Sequence, residues 1–371
     1  MSSPVGAEVA MICDAGPALG VGHVMRCLAL AEELIGRGMA VTMLADLDRC
    51  GDLGWAAEAV VRRGIELRAE PADPATARRL VAETSPSVVV VDSYRLPPST
   101  YAELRAPGRR LLAVVDGDDG GDDGDGGPAR RAADVYLDQN LGAEAEDRPR
   151  PAGSIRLAGL DYVLLRDDVR RHRPAVPPAE VGTPPRVLAF FGGTDAAGVA
   201  PPVTRLVAAT GVPCELTVVV ARPELSAAAE EVVPAPGQRI ELTGPVDDLA
   251  ARVARADVVI SAAGTSSWEL LALGAAVAFV RVADNQRIGY RRLLDAGLGV
   301  GLGTPAELSG PAACAALAGL LTDPGRRTAL RRAGWRAVDG DGRVRVADAL
   351  VGVPDRRPVP GPASASAGSR R

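Results

Sequence analysis

Short apolar runs alternate with amphipathic stretches along the chain. In the first half the apolar runs, which are typical of buried strands, fall at residues 8–13, 40–45, 87–91 and 110–115. After the first run, apolar side chains recur at helical spacing and predict a helix over about 22–37, with one face formed by Val24, Leu28, Ala31 and Ile35. Strands that alternate with helices indicate an α/β fold with a parallel sheet covered by helices.

The same alternation restarts after a proline-rich stretch, HRPAVPPAEVGTPP, whose prolines suit an exposed connector. Beyond it, apolar runs predict strands at 186–191, 215–220, 257–260 and 277–280. We therefore predict an N-terminal Rossmann-like domain at 1–171, a linker at 172–185, a C-terminal Rossmann-like domain at 186–353 and a disordered tail at 354–371. Open α/β sheets bind ligands beyond the carboxyl ends of their strands, so we expect the site in the cleft between the domains.

Composition narrows the possible functions. The 371 residues are 47% hydrophobic, which is enough for two cores, and carry a net charge of -5. A mildly acidic chain argues against a nucleic-acid partner, which needs a basic surface. Five scattered cysteines without a C-x-x-C pair predict reduced thiols, with no disulfide and no metal site. No bilayer-spanning run and no secretory signal are visible, so we expect a cytoplasmic protein without stable membrane association.

The first predicted strand is followed by the turn DAGPALGVGH at residues 14–23. Gly20 and Gly22 would let a ligand approach the backbone just ahead of a helix N-terminus. A dinucleotide motif needs a third glycine three residues after Gly22, where Met25 stands, so the motif is incomplete and no cofactor is expected.

His23 is the main candidate for acid–base chemistry, because it lies at the mouth of this turn and is one of two histidines. The helix N-terminus disfavours a cation there, which predicts a neutral imidazole able to accept a proton. Asp14 could orient His23 or contact substrate hydroxyls. A histidine that caps the helix and an aspartate that forms the turn are the structural alternatives. His172 falls in the linker and is expected to be a bystander.

Other polar or small residues occupy turns after predicted strands, namely Tyr94, Gly193, Gly264, Thr265, Ser266, Glu269, Asn285 and Gln286. Backbone N–H groups and hydroxyls at 264–266 suit a diphosphate, and Glu269, one turn into the next helix, could reach a ribose diol. Tyr94 and the Asn285-Gln286 pair could contact the sugar. Tight turns and helix caps would use the same residue types, so both interpretations stay open at this point.

The segment DGDDGGDDGDGGP at 116–128 differs from its surroundings. It lacks the glutamate that closes an EF-hand calcium loop, so a solvated loop is the better interpretation.

Six motifs occur together in one order: DAGPALGVGHVMRCLALA, VVVVDSY, LAGLDYVLLR, FFGGTD, SAAGTSSWELLALG and ADNQ. Through these motifs the chain resembles the UDP-sugar hydrolases of the pseudaminic-acid pathway and the related spore-coat polysaccharide proteins (the PseG/SpsG family). The resemblance covers about residues 8–350. That family is similar to the cell-wall glycosyltransferase MurG and shares its GT-B fold. The resemblance implies an enzyme that cleaves a UDP-activated 2,4-diacetamido-2,4,6-trideoxyhexose into UDP and the free sugar.

Residue by residue, the resemblance implies specific roles. His23 matches the histidine that activates water, and Tyr94 and Asp14 are sugar contacts by position. The nucleotide-binding stretch is matched by Gly264, Thr265, Ser266 and Glu269, and the substrate-side pair by Asn285 and Gln286.

Two departures leave the sugar open: Ile12 stands where the family often has Arg, and the Gly/Asp segment at 116–128 replaces a shorter turn. The alternatives are a GT-B glycosyltransferase that uses a UDP-sugar donor and a non-catalytic sugar-nucleotide-binding protein. A dehydrogenase is disfavoured by the missing third glycine. The sequence leaves the oligomeric state open.

Overall fold

The computed structural model describes residues 8–16, 20–47, 53–116, 131–146, 148–178 and 183–352. Most of the Gly/Asp segment at 116–128, part of the 172–185 linker and the tail at 354–371 lie outside the described residues. Among the described helices, none is long and apolar enough to cross a membrane.

A parallel seven-stranded sheet forms the first half, in the order β3-β2-β1-β4-β5-β6-β7. Its strands are β1 (Glu8–Cys13), β2 (Ala40–Leu44), β3 (Glu66–Arg68), β4 (Val88–Asp92), β5 (Arg110–Val114), β6 (Val135–Asp138) and β7 (Ile155–Ala158). The helices of this part of the chain are α1 (Gly22–Gly36), α2 (Gly54–Val61), α3 (Pro74–Thr84), α4 (Ser99–Leu104) and α5 (Asp167–His172).

A parallel six-stranded sheet forms the second half, in the order β10-β9-β8-β11-β12-β13. Its strands are β8 (Arg186–Phe190), β9 (Cys214–Val219), β10 (Gln238–Thr243), β11 (Val258–Ala262), β12 (Val277–Val280) and β13 (Val300–Gly301). The helices are α6 (Ala200–Ala209), α7 (Ser226–Glu230), α8 (Leu249–Arg255), α9 (Ser266–Ala272), α10 (Arg287–Asp295), α11 (Pro311–Thr322), α12 (Pro324–Ala337) and α13 (Gly342–Val351).

Both faces of each sheet are buried under helices, which explains the unbroken apolar strands. On β4, Val88 and Val90 pack into the core on one face, while Val89 and Val91 pack into the core on the other. Successive side chains of a strand point to opposite faces, so a central strand needs apolar residues at every position. The same division separates the two cores of the second sheet.

The last helix returns to the first half. Val346, Ala347 and Leu350 of α13 pack into the core beside α1. This helix follows the second sheet in the chain, but its apolar face packs against the first core. The first crossing of the chain, from the first half to the second, begins before the predicted linker, because Val163 and Leu165 already pack with the second core.

Candidate active site between the two halves

The site is built on the carboxyl ends of the strands, where polar residues replace the apolar runs. α1 begins at Gly22, directly after the turn that follows β1, and this places His23 in the first turn of the helix. β4 ends at Asp92, and its neighbour β1 ends at Cys13 in register with it. The parallel register therefore brings Asp92 next to the beginning of α1.

His23 is paired with Asp92. Nδ1 of His23 lies 2.8 Å from Oδ1 of Asp92, and the two side chains are 9% and 1% exposed. The same nitrogen lies 3.1 Å from the backbone carbonyl oxygen of Asp92. The ring of Tyr94 packs edge-on against the imidazole at 4.7 Å between centroids. The imidazole is thus held through Nδ1, which leaves Nε2 to act on a ligand.

Arg26 ties this pair to a second carboxylate. It donates to Asp92 from Nε at 2.5 Å and from Nη2 at 2.6 Å, and to both oxygens of Asp116 at 3.0 Å. The hydroxyl of Tyr94 also donates to Asp116. Sequence reasoning assigned no role to Arg26 or Asp116, although Arg26 follows His23 by three residues and so shares its helix face.

The charges of this cluster reverse one prediction. Burial alone would lower the pKa of His23, but the charge and hydrogen bond of Asp92 together with the charge of Asp116 raise that pKa above the usual 6.5. The expected neutral imidazole, favoured by the helix N-terminus, therefore gives way to an imidazole with increased proton affinity. Burial would raise the pKa of Asp92, yet Arg26 holds it far below its usual range. Arg26 likewise overcomes burial at Asp116 and lowers its pKa to about 2.

Asp14 does not orient His23, because Asp92 occupies that position. Asp14 is fully buried and accepts a hydrogen bond from the backbone N–H of Tyr94 at 2.7 Å. Burial and the nearby charge of Asp14 raise the pKa of Glu70 to about 7. Asp14 and Glu70 thus form an acidic corner beside the first turn.

The glycines of the first turn serve two different purposes. Gly20 has a φ of +73° and exchanges backbone hydrogen bonds with Gly16, which closes the turn. Gly22 lies where the halves meet: a Cβ there would lie 2.6 Å from Oγ1 of Thr265. Only a glycine allows this close approach, and the contact brings the first turn against the predicted nucleotide stretch.

Thr265 directly precedes α9, which begins at Ser266, and Gly264 ends the turn after β11. Gln286 lies beside this turn, 3.4 Å from the place of a Cβ on Gly264, and its Oε1 accepts from the N–H of Val282 at 3.0 Å. Asn285 is exposed. The structure therefore brings Thr265, Gly264 and Gln286 together.

Glu269 has a partner that the sequence did not suggest. Arg166, on the segment that crosses between the halves, holds both carboxylate oxygens of Glu269 at 3.1 Å. The charge of Glu269 outweighs burial and raises the pKa of Arg166. Glu269 is 20% exposed, so a ligand can still reach it.

Gly193 also lies at the contact between the halves. A Cβ on Gly193 would lie 2.6 Å from Cζ2 of Trp55, on α2 of the first half. Two residues on, Asp195 caps α6 by accepting from the N–H groups of Val199 and Ala200 at 2.8 and 3.0 Å. Gly193 therefore provides room for an aromatic side chain of the facing half.

No protein-family model and no curated protein matches the chain. Solved structures match it over nearly its whole length. MurG of Acinetobacter baumannii is 18% identical, with 93% of this chain and 99% of that one covered and a TM-score of 0.65. The glycotransferase of kitacinnamycin is 18% identical, with coverage of 94% and 100% and a TM-score of 0.61. UDP-GlcNAc 2-epimerase of Neisseria meningitidis is 10% identical, with coverage of 92% and 99% and a TM-score of 0.59. The protein has the GT-B fold, in which two Rossmann-like domains face each other across a cleft.

Proposed function

We propose that this protein is an enzyme that hydrolyses a UDP-sugar to UDP and the free sugar in the cleft between its two halves. The observation that carries the proposal is the pair of His23 with buried Asp92, 2.8 Å apart. A carboxylate that holds one imidazole nitrogen fixes the ring and stabilises the imidazolium, which is how histidine serves as a general base. Gly22, beside His23, abuts Thr265, so the base faces the predicted nucleotide stretch.

In the proposed reaction, Nε2 of His23 takes a proton from water as the water oxygen attacks the anomeric carbon. The bond from that carbon to the phosphate oxygen breaks, and UDP leaves with the electron pair. Asp92 stabilises the imidazolium that forms. The hydroxyls of Thr265 and Ser266 and the backbone N–H groups around them would stabilise the leaving diphosphate.

The substrate is proposed from the resemblance together with the site. The Neisseria meningitidis epimerase was solved bound to UDP-GlcNAc, which supports a UDP-sugar in a cleft of this fold. The family resemblance specifies a UDP-2,4-diacetamido-2,4,6-trideoxyhexose, used in nonulosonic-acid or surface and spore-coat polysaccharide synthesis. On the sugar side, Tyr94 is exposed and lies against the imidazole, where it would contact the sugar, while the fully buried Asp14 supports Tyr94 through its backbone N–H. Glu269 would bind the ribose diol, with Asn285 and Gln286 beside the substrate.

A GT-B glycosyltransferase is the second candidate, because MurG and the kitacinnamycin glycotransferase have similar structures. The same histidine would then activate an acceptor hydroxyl instead of water. The two reactions differ in whether UDP appears without an acceptor.

The test is UDP release from a panel of UDP-sugars by the purified protein without an acceptor. His23→Ala is expected to lower kcat by about 10²–10⁴-fold, the usual contribution of a general base. His172→Ala is the matched control, since it changes the other histidine, and should retain full activity. In the wild type the rate should rise with pH through the raised pKa of His23, because only the neutral imidazole accepts a proton.

Three results would count against the proposal. Undiminished release by His23→Ala would remove His23 as the base. Release that requires an acceptor would indicate a glycosyltransferase. Saturable binding of UDP-sugars without release, with or without acceptor, would indicate a binding protein.

A further inference from the structure

Two charged residues beside His23 have no part in the reaction proposed above. Arg26 lies one turn after His23 on α1, and its side chain is 6% exposed. Asp116 follows β5 and is 18% exposed. A buried guanidinium is costly unless its hydrogen bonds are well made. Arg26 donates two hydrogen bonds to each of two carboxylates, so its burial is compensated by these contacts.

One oxygen of Asp92 is shared between two donors. Oδ1 lies 2.6 Å from Nη2 of Arg26 and 2.8 Å from Nδ1 of His23. The positive charge of Arg26 opposes a proton on His23 and so offsets part of the attraction that Asp92 exerts on that proton. Asp116 adds a second negative charge against the same guanidinium. The cluster therefore keeps one negative charge while His23 is neutral and becomes neutral when His23 is protonated.

We propose that Arg26 and Asp116 are positioning residues for His23. Arg26 fixes the Asp92 carboxylate in line with Nδ1, and Asp116 offsets the charge of Arg26 so that Asp92 keeps its attraction for a proton on the imidazole. The consequence for catalysis rests on the proposed role of His23 as a base. The effect of Arg26 and Asp116 on the proton affinity of His23 is a property of the protein without substrate and can be measured there.

The groups around His23 are consistent with this assignment. Within the described part of the chain, those that titrate or carry charge come from four elements of the first half, namely Arg26 and Cys27 on α1, Cys13 and Asp14 at the end of β1, Asp92 and Tyr94 at the end of β4, and Asp116 after β5. A hydrogen bond with Cys13, together with burial, raises the pKa of the Cys27 thiol well above its usual value, so this thiol stays neutral. The charges that act on the imidazole are those of Asp92, Arg26 and Asp116, and Arg26 opposes the other two.

The test is a direct titration of His23 by NMR in the ligand-free protein. The chain contains two histidines, so ¹³C-labelled histidine gives two imidazole signals, and His172→Gln assigns them. Asp116→Asn removes the outer negative charge and should move the titration midpoint of His23 to lower pH. Arg26→Gln removes the opposing positive charge and should move it to higher pH. Opposite directions would not arise from a loss of packing alone.

Two matched variants separate charge from other effects. Asp248→Asn breaks an aspartate–arginine pair on the surface of the second half, where Asp248 lies 2.6 Å from Arg252, and should leave the midpoint unchanged. Asp116→Glu keeps the charge and should stay nearer the wild-type midpoint than Asp116→Asn does. Circular dichroism checks the fold of each variant.

The proposal is overturned if the titration midpoint of His23 in Asp116→Asn does not differ from that in the wild type and in Asp248→Asn. It is also overturned if that midpoint moves to higher pH. Should that variant not fold, Arg26→Gln decides, and an unchanged or lower midpoint overturns the proposal. For an active enzyme, the acidic limb of the pH profile of kcat/KM should shift with the midpoint. Shifted midpoints without turnover of any UDP-sugar would refute the hydrolase alone, whereas turnover with unmoved midpoints would refute the role of Asp116 and Arg26 alone.

Discussion

The contact between Gly22 and Thr265 leads to a prediction about how the two halves close over the site. A Cβ on residue 22 would lie 2.6 Å from Oγ1 of Thr265 and 3.5 Å from its Cβ. Ordinary contact would require the atoms to move apart by about 0.8 Å or more. Gly22→Ala therefore keeps the halves from reaching the arrangement in which His23 faces the nucleotide stretch.

Displacements of about 1 Å at a reacting centre cost as much as 100-fold in rate. We therefore expect Gly22→Ala to lower kcat/KM for UDP release by about 10–50-fold, which corresponds to about 1.4–2.3 kcal/mol. Steady-state kinetics with the best UDP-sugar measures this loss. The matched control is Gly36→Ala at the other end of α1, where nothing lies within 4 Å of a Cβ. That variant should keep full activity.

The origin of the loss is tested in the background of Thr265→Ala, which removes Oγ1 and leaves a Cβ at an ordinary distance. In this background, Gly22→Ala should cost clearly less than in the wild type. The reasoning is refuted if Gly22→Ala behaves like Gly36→Ala, or if it lowers kcat/KM by the same factor with and without the threonine hydroxyl.

Two further predictions concern stability. The folded protein holds a proton on Glu70 up to about pH 7, whereas the unfolded chain releases it near 4.5, so this group costs stability as the pH rises between those values. Glu70→Gln should therefore raise the free energy of unfolding by roughly 1–2 kcal/mol at pH 8 and by less at pH 5.5, and denaturant melts showing an equal change at both pH values would contradict this. On α13, a Cβ at Gly342 would lie 2.5 Å from the backbone nitrogen of Val163, which cannot yield as a flexible side chain would. Gly342→Ala should destabilise the protein by about 1–3 kcal/mol, and a Tm equal to that of Gly289→Ala, whose Cβ would meet nothing within 4 Å, would contradict it.

Eight of the nine described strands in the middle of the sheets were predictable from the sequence, the exception being β6, whereas those at the edges were not. β1, β2, β4, β5, β8, β9, β11 and β12 coincide with predicted apolar runs to within a residue or two. The predicted helix at 22–37 is α1, at 22–36. The omitted strands include all four edge strands, β3, β7, β10 and β13. Edge strands expose one side to solvent, so polar residues interrupt the apolar run, as in QRIELT of β10.

The return of α13 to the first half was beyond sequence reasoning for a different reason. Its apolar residues are as compatible with the second core as with the first, and nothing in their spacing specifies a partner. Charge contributes to the choice at Arg343, whose guanidinium contacts Glu32 on α1 at 3.0 Å. This contact joins residues that are far apart in sequence.

The sequence pointed to the turns after β1, β4 and β11 but not to the partners of their side chains. In the structure these turns lie close together, with His23 against Tyr94 and Gly22 against Thr265. Substrate contacts by Gly264, Ser266, Glu269 and the Asn285-Gln286 pair stay predictions. Arg166, which holds Glu269, ends the motif LAGLDYVLLR but was given no role, because it follows no predicted strand and lies 103 residues from Glu269 in sequence.

The raised pKa of His23 shows why a prediction from the helix alone has the wrong sign. A helix N-terminus carries about half a positive charge and shifts a nearby ion by roughly 0.3–1 kcal/mol, up to about 2 when partly buried. A full charge at about 4 Å contributes about 4 kcal/mol at an effective dielectric constant of 20. Asp92, 69 residues from His23 in sequence, places such a charge at 2.8 Å, and the tertiary pair therefore outweighs the helix. A sequence can thus identify the histidine and its helix, whereas the proton affinity of the imidazole depends on which carboxylate the sheet register brings beside it.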